Sequence, residues 1–339
     1  MARIAAVLAD PVLERLLRPY GLRPGDVTFL AHSQNHAYRT NDGSRVVRIS
    51  AGRHVGADEV EAELRWIDLL RSRGVHACAG VESANGRRCE IVCAGDGEYV
   101  VSCLEHAPGH AITPEEMTPD LYAALGRLTG EMHAVARDEP GAAAILKRRC
   151  WRDSRLLRED VAACADRLLP GFADRLHAIV EDLDRRPKDR NSYGLIHADV
   201  SFGNCFAEDD GRLWIFDFDN CEFGYYLADI ATTLYDGIYC RLLNRVPADE
   251  LTPRAEERFA AFLRGYAECG PLDKIDGDDL RRFFLLREGV IAVHYHRILD
   301  FDRLTDRYRA GIREMQENLI RGEHPLAIDW ADRTLRPLS

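Results

Sequence analysis

"GLIHADVSFGNCFAEDDGRLWIFDFDN", residues 194–220, sets Asp199, Asn204, Asp217 and Asp219 among runs suited to burial at 195–196 and 213–216. A carboxylate beside a buried strand is costly unless something pairs with it. Asp209-Asp210-Gly211 reads as the turn of a β-hairpin over 203–217. The open ends of a hairpin's strands lie close together, so Asn204 and Asp217 can present oxygen ligands to one cation. Asp199, on the loop just before, faces the same point. That grouping suits phosphoryl transfer, which needs a carboxylate to orient and deprotonate a hydroxyl and oxygen ligands to hold Mg2+ against phosphates.

On either side of this stretch the texture differs. Residues 2–19 read as an amphipathic helix stopped by Gly21 and Pro24-Gly25. Then "VTFLAHSQNHAYRTNDGSRVVRIS" (27–50) reads as strand, polar loop, strand, an Asn41-Asp42-Gly43 turn and strand. "DEVEAELRWIDLLRSRG" (58–74) has helical periodicity and a glycine at its end. Two further strands are expected near 89–93 and 98–104. Beyond Pro108-Gly109 the pattern is helical, over about 115–137, 151–185, 225–242, 254–268, 278–299 and 303–321, with the hairpin as the exception. The expected fold class is α+β: a small β-rich lobe over residues 1–104 and a larger helical lobe over 105–339, joined by an extended segment at 104–107.

The ordered set of motifs resembles the aminoglycoside phosphotransferase and choline kinase-like family, which has the protein-kinase fold. "HADVSFGN" (197–204) and "IFDFD" (215–219) resemble its HxDxxxxN and DFG-like elements. "SQNHAYRT" (33–40) resembles its nucleotide-covering loop, "VVRI" (46–49) the strand bearing a phosphate-pairing cation, and "EAELRWIDLLRSRG" (61–74) the helix of the first lobe. "LGRLTGEMH" (125–133) and "EFGYYLADIATTLYD" (222–236) resemble helices of the second lobe.

The resemblance implies that Asp199 is the catalytic base and that Asn204 and Asp217 bind Mg2+. It implies that Arg48 meets the phosphates of ATP or GTP, oriented by Glu63, and that Ser33, Asn35 and His36 cover the nucleotide. Cys103 and Glu105 would stand beside the adenine. Two departures are visible: an arginine replaces the lysine of many relatives at position 48, and the loop at 33–38 has no glycine.

The bland alternatives are turn or cap residues for Asp199, Asn204 and Asp217. His197 reads as a brace that hydrogen-bonds backbone, and Asp229 as a second one. Asp219 is a substrate-facing or supporting carboxylate or a solvated one. Glu222, Tyr225, Tyr226, Asp236 and Tyr239 could wall an acceptor pocket or simply pack. His294 and His296 lie two apart, so on a helix they point to different sides and do not share an ion. Two other functions remain open. A two-metal phosphoesterase would use His197, Asp199, Asp217 and Asp219. A catalytically silent relative would bind only nucleotide or a partner.

Composition narrows the partners. Forty-five basic against 56 acidic residues give a formal charge of −11, and no basic block stands out, which argues against nucleic acid. The ten cysteines, at 78, 89, 93, 103, 150, 164, 205, 221, 240 and 269, include no CxxC pair and fit a reducing compartment. With no signal-like start and no membrane-length apolar run, the expectation is a cytoplasmic enzyme with a small hydroxylated acceptor.

Overall fold

A computed structural model describes residues 8–32, 35–52, 55–95, 97–141, 146–240, 246–324, 326 and 328–335. The chain opens with α1 (Asp10–Leu17), then β1 (Val27–His32), β2 (His36–Thr40), β3 (Arg45–Ala51) and α2 (Ala57–Ser72). β4 (Gly80–Val81), β5 (Cys89–Ala94) and β6 (Gly97–Glu105) follow. The hairpin turn expected at Asn41-Asp42-Gly43 forms, with Gly43 at φ 75° and Asp42 Oδ1 accepting from the Ser44 amide at 3.0 Å.

Among the described residues the six strands make one antiparallel sheet, in order β1-β2-β3-β6-β4 with β5 also paired to β6. Its two faces have different partners. Val47, Ile49, Val101 and Cys103 are buried with Leu13, Leu16 and Leu17 of α1, whereas Val100 and Leu104 join the main core with Leu64, Ile67 and Leu70 of α2. The leading helix is shorter than expected, ending in a 3-10 turn over Arg18–Tyr20; residues 2–7 of the expected span lie outside the described residues.

After β7 (His110–Ala111) the structure is mainly helical: α3 (Pro119–Asp138), α4 (Phe172–Asp184), α5 (Tyr226–Thr232), α6 (Ala248–Ala267), α7 (Gly277–Ile298) and α8 (Asp306–Arg321). The long helix expected over 151–185 is instead broken into short turns before α4. Pro170 cannot donate to a helical ladder, and Gly171 takes a left-handed φ of 83°. α3 and α6 pack backbone to backbone: a Cβ on Gly126 would stand 1.9 Å from the Phe262 carbonyl oxygen, and one on Gly265 1.8 Å from that of Ala123.

Two short ladders frame the site. β8 (Tyr193–Ile196) pairs with β11 (Glu222–Tyr225), Ile196 opposite Glu222. β9 (Cys205–Ala207) pairs with β10 (Leu213–Ile215), Cys205 opposite Ile215, as the expected hairpin. The loops 197–204 and 216–221 are therefore each held at both ends and run side by side. Phe202 and Phe218 anchor them from within, at 3% and 1% exposure, each contributing about 2 kcal/mol of burial. No helix among the described residues is long and apolar enough to cross a membrane.

Candidate active site

Both loops carry a strained residue beside the chemistry. Ala198 and Asp217 each sit at φ 65°, a left-handed conformation costing an ordinary residue about 1 kcal/mol. Buried polar braces hold them there. Asp229, fully buried on α5, accepts from the amides of His197 at 2.9 Å and Ala198 at 2.7 Å. His133 of α3 lies 3.1 Å behind it and is itself bonded to Tyr266 of α6. His197 Nε2 meets the Phe216 carbonyl at 3.1 Å, and its Nδ1 accepts from the Asp199 amide at 3.3 Å. With both ring nitrogens used on backbone, His197 is the brace expected from sequence.

The Asp199 side chain is gripped from two sides. Asn204 Nδ2 donates to Oδ2 at 2.9 Å, and also to the Asp199 carbonyl at 2.9 Å. Arg287 of α7 donates to Oδ1 at 2.5 Å. Burial alone would raise this carboxyl's pKa, but the Arg287 guanidinium, helped by His197 and the two hydrogen bonds, more than offsets it and holds the group below the usual value. Asp199 is thus held at both oxygens, with its ionised form favoured.

Asp217 and Asp219 are shifted in the opposite direction. Burial, with the Glu63 and Asp199 charges, raises the Asp217 carboxyl, and burial with the Asp217 charge pushes that of Asp219 up to about 7, Arg48 only partly compensating in both. Arg48 is committed elsewhere: its two terminal nitrogens grip the Glu63 oxygens at 2.8 and 2.6 Å, in a pair 8% and 2% exposed. Asp219 Oδ2 accepts from Asn35 at 3.1 Å, Asn35 in turn accepts from Ser50 at 2.7 Å, and Asp219 Oδ1 is buried with no partner among the described residues. An uncompensated carboxylate pair beside an amide fits a hard divalent cation with oxygen ligands.

The structure redistributes several expected site residues. Cys103 pairs with Val47, and Arg48 with Ser102, so strand alternation puts Cys103 on the sheet face away from Arg48. Its thiol is buried in the α1 core, which pushes its pKa up to about 11. The Glu105 carboxylate is taken by Arg71 at 3.0 Å. Glu222 is paired with Arg149 at 2.9 Å. Tyr225 ends β11 rather than opening a helix; it donates to the Arg186 carbonyl at 2.9 Å and packs on Trp151 and Phe283. The side chains of Cys103 and Glu105 thus face or bind structural partners, which leaves only their backbone for the expected place beside the adenine, and those of Glu222 and Tyr225, expected to wall an acceptor pocket, are taken up as the 222–225 segment pairs with β8. Tyr226 and Tyr239 are likewise buried in packing. Asp236 does reach the site through Arg287. Ser33 lies outside the described residues.

His296 is buried against Phe301 and Gln316, whereas His294 lies near Arg287 and Asp199, so the two histidines do not share an ion. Among the described residues no three or more His, Cys, Asp or Glu side chains gather as a metal cluster, so the two-metal phosphoesterase arrangement does not form there.

Sequence reasoning missed two arginines. Arg148 donates to the carbonyls of Cys221 at 2.6 Å, Asp219 at 2.7 Å and Glu59 at 3.0 Å, bolting the second loop to α2. Arg287 was hidden in the apolar run "FFLLREGVIAV" (283–293), where a lone charged pair is itself a signal of an internal partner.

A β-rich lobe bearing an arginine–glutamate pair, facing a helical lobe bearing a braced aspartate and a carboxylate pair, defines a protein-kinase-like fold of the α+β class. A sequence model of the phosphotransferase enzyme family matches residues 26–272. The chain belongs to that family and is a phosphotransferase, of the class that passes a phosphoryl group to an alcohol.

The curated relatives include the amicoumacin kinase of Bacillus subtilis (strain 168), 26% identical over 325 residues covering 95% of each chain. A homoserine kinase of Rhodopseudomonas palustris (strain BisA53) is 26% identical, covering 83% of this chain and 81% of its own. Among solved structures, an amicoumacin kinase in complex with AMP-PNP, Ca2+ and Ami superposes with a TM-score of 0.83 at 25% identity, covering 94% of this chain and 95% of that one.

Proposed function

We propose that this phosphotransferase moves the γ-phosphoryl group of ATP, with GTP as the other candidate donor, to a hydroxyl of a small molecule. The observation that carries the proposal is Asp199, ionised and aimed, beside a buried pair of carboxylates short of positive charge. In this reading residues 1–104 form the nucleotide lobe, and 105–339 carry the catalytic loop and the acceptor site. The backbone at 103–107 faces the adenine.

Asn204 and Asp217 are the residues that would hold Mg2+, which when bound neutralises phosphate charge. Asp199 accepts the hydroxyl proton. Arg48, fixed by Glu63, orients the phosphates. Asn35 holds the covering loop over Asp219. Most of the rate gain then comes from positioning, because the groups are fixed before the acceptor arrives.

The acceptor class supported by the relatives is a hydroxylated amine or amino acid of the amicoumacin or homoserine kind. Ten free thiols suit a cytoplasmic enzyme. The test is ATP consumption with Mg2+ over amicoumacin A, homoserine and a panel of aminoglycosides and amino alcohols, with mass detection of the phosphorylated product. Turnover of one of them is expected; consumption of ATP by none would overturn the reading.

A further inference from the structure

Arg287 comes from α7 and reaches Asp199 Oδ1 at 2.5 Å, while its Nε donates to Asp236 Oδ2 at 2.9 Å and its NH2 also meets that oxygen. The guanidinium is only 17% exposed, and Asp199 and Asp236 are 29% and 20% exposed. One cation therefore joins two carboxylates, relieving the repulsion they would otherwise exert on each other. Asn204 fixes one oxygen of Asp199, and Arg287 is the side chain that fixes the other.

Asp236 lies in the π-helical segment Thr233–Tyr239 that continues α5, about two turns beyond Asp229. Such widened turns shift the side chains they carry and are frequent at functional sites. A single continuous helix thus supports the loop twice. Asp229 holds the backbone at His197 and Ala198, and Asp236 holds the carboxylate through Arg287.

We propose that Arg287, anchored by Asp236, is a positioning residue for phosphoryl transfer that sets the orientation of the Asp199 carboxylate toward the acceptor hydroxyl. The inference rests on Asp199 being the base. In this role Arg287 acts through Asp199 and Asp236, the two carboxylates it bonds, and not as a proton carrier. It removes rotational freedom from the Asp199 carboxylate, so its loss is felt in turnover more than in nucleotide binding.

The experiment measures kcat and the KM for ATP on whichever acceptor of the panel above the wild type phosphorylates. The variants are Arg287→Met, Arg287→Lys, Asp236→Asn, the Arg287→Met/Asp236→Asn double variant and Asp199→Asn. Arg287→Met is expected to lower kcat about 10- to 100-fold while the KM for ATP moves less than about twofold, with Arg287→Lys recovering part of the loss. Asp236→Asn should lower kcat in the same direction, and the double variant should be no worse than Arg287→Met, because both changes remove one device.

A kcat within about twofold of wild type in Arg287→Met, no recovery with lysine, or additive losses in the double variant overturn the proposal. If Arg287→Met does not fold, the lysine and asparagine variants decide by the same criteria. Full turnover in Asp199→Asn overturns the underlying base assignment instead, and a wild type inactive on the whole panel removes both.

Discussion

Asp199 and Asp217 sit on adjacent loops, each next to or at a left-handed residue, yet their surroundings shift their proton affinities in opposite directions. Asp199 has a guanidinium on one oxygen and an amide on the other. Asp217 lies close to Asp219 and Glu63, while the guanidinium that offsets its charge, that of Arg48, is spent on Glu63. The difference teaches how two like residues acquire different work. One carboxylate is supplied with positive charge by the protein, which suits the proton-accepting role proposed for it. The other pair is left wanting charge, a demand that the proposed divalent cation would meet.

Breaking the first side of that contrast should have the largest effect. Asp199→Asn removes the proton acceptor but keeps the shape and the hydrogen bond to Asn204, so turnover should fall about 10²- to 10⁴-fold. ATP with Mg2+ should still raise the melting temperature of this variant. Near-normal turnover would take Asp199 out of the comparison altogether.

Glu63→Gln tests whether Arg48 is truly spent. Removing one partner of a buried bidentate pair leaves an uncompensated charge, at a cost of about 3 kcal/mol in urea denaturation. The freed guanidinium should also turn toward Asp217 and Asp219, so a variant as stable as wild type would mean that these carboxylates already shared it. On the cation side, Asp217→Asn should weaken Mg2+-dependent ATP binding about tenfold or more, ~1.4 kcal/mol. The readout is the melting shift by ATP with and without Mg2+, and an unchanged Mg2+ dependence would contradict the assignment.

The smallest effect sharpens the contrast through pH. Asp219 in the folded state has a pKa pushed by burial and the Asp217 charge up to about 7, from an ordinary aspartate value of 3.8. Between those values the folded protein holds a proton that the unfolded chain has lost, so this group's contribution to stability falls as pH rises from about 4 to 7. Asp219→Asn, which can still accept from Asn35, should therefore raise the melting temperature at pH 8 more than at pH 5. Equal shifts at the two pH values would show that the pair is already compensated.

Much of this was legible in the sequence because the motifs are local. The Asn41-Asp42-Gly43 turn, the helix Ala57–Ser72 and the hairpin around Asp209-Asp210-Gly211 each follow from short-range turn chemistry and periodicity. The roles of His197 and Asp229 as braces could be anticipated, since a loop carrying a fixed carboxylate needs its backbone satisfied. Other features had no local signal. Nothing within 222–225 says that it will pair with β8, so Glu222 and Tyr225 looked available for an acceptor. Cys103 looked like a linker residue until the register with Val47 settled which face it takes.

The sequence by itself determined the identity and order of the candidate site groups, because Asp199, Asn204, Asp217, Arg48 and Glu63 stand in motifs whose spacing local geometry constrains. Tertiary structure alone decided what each carboxylate experiences. Arg287 meets Asp199 from 88 residues away and Asn35 meets Asp219 from 184 away. Proton affinity depends on charge and burial in space, to which sequence separation is blind.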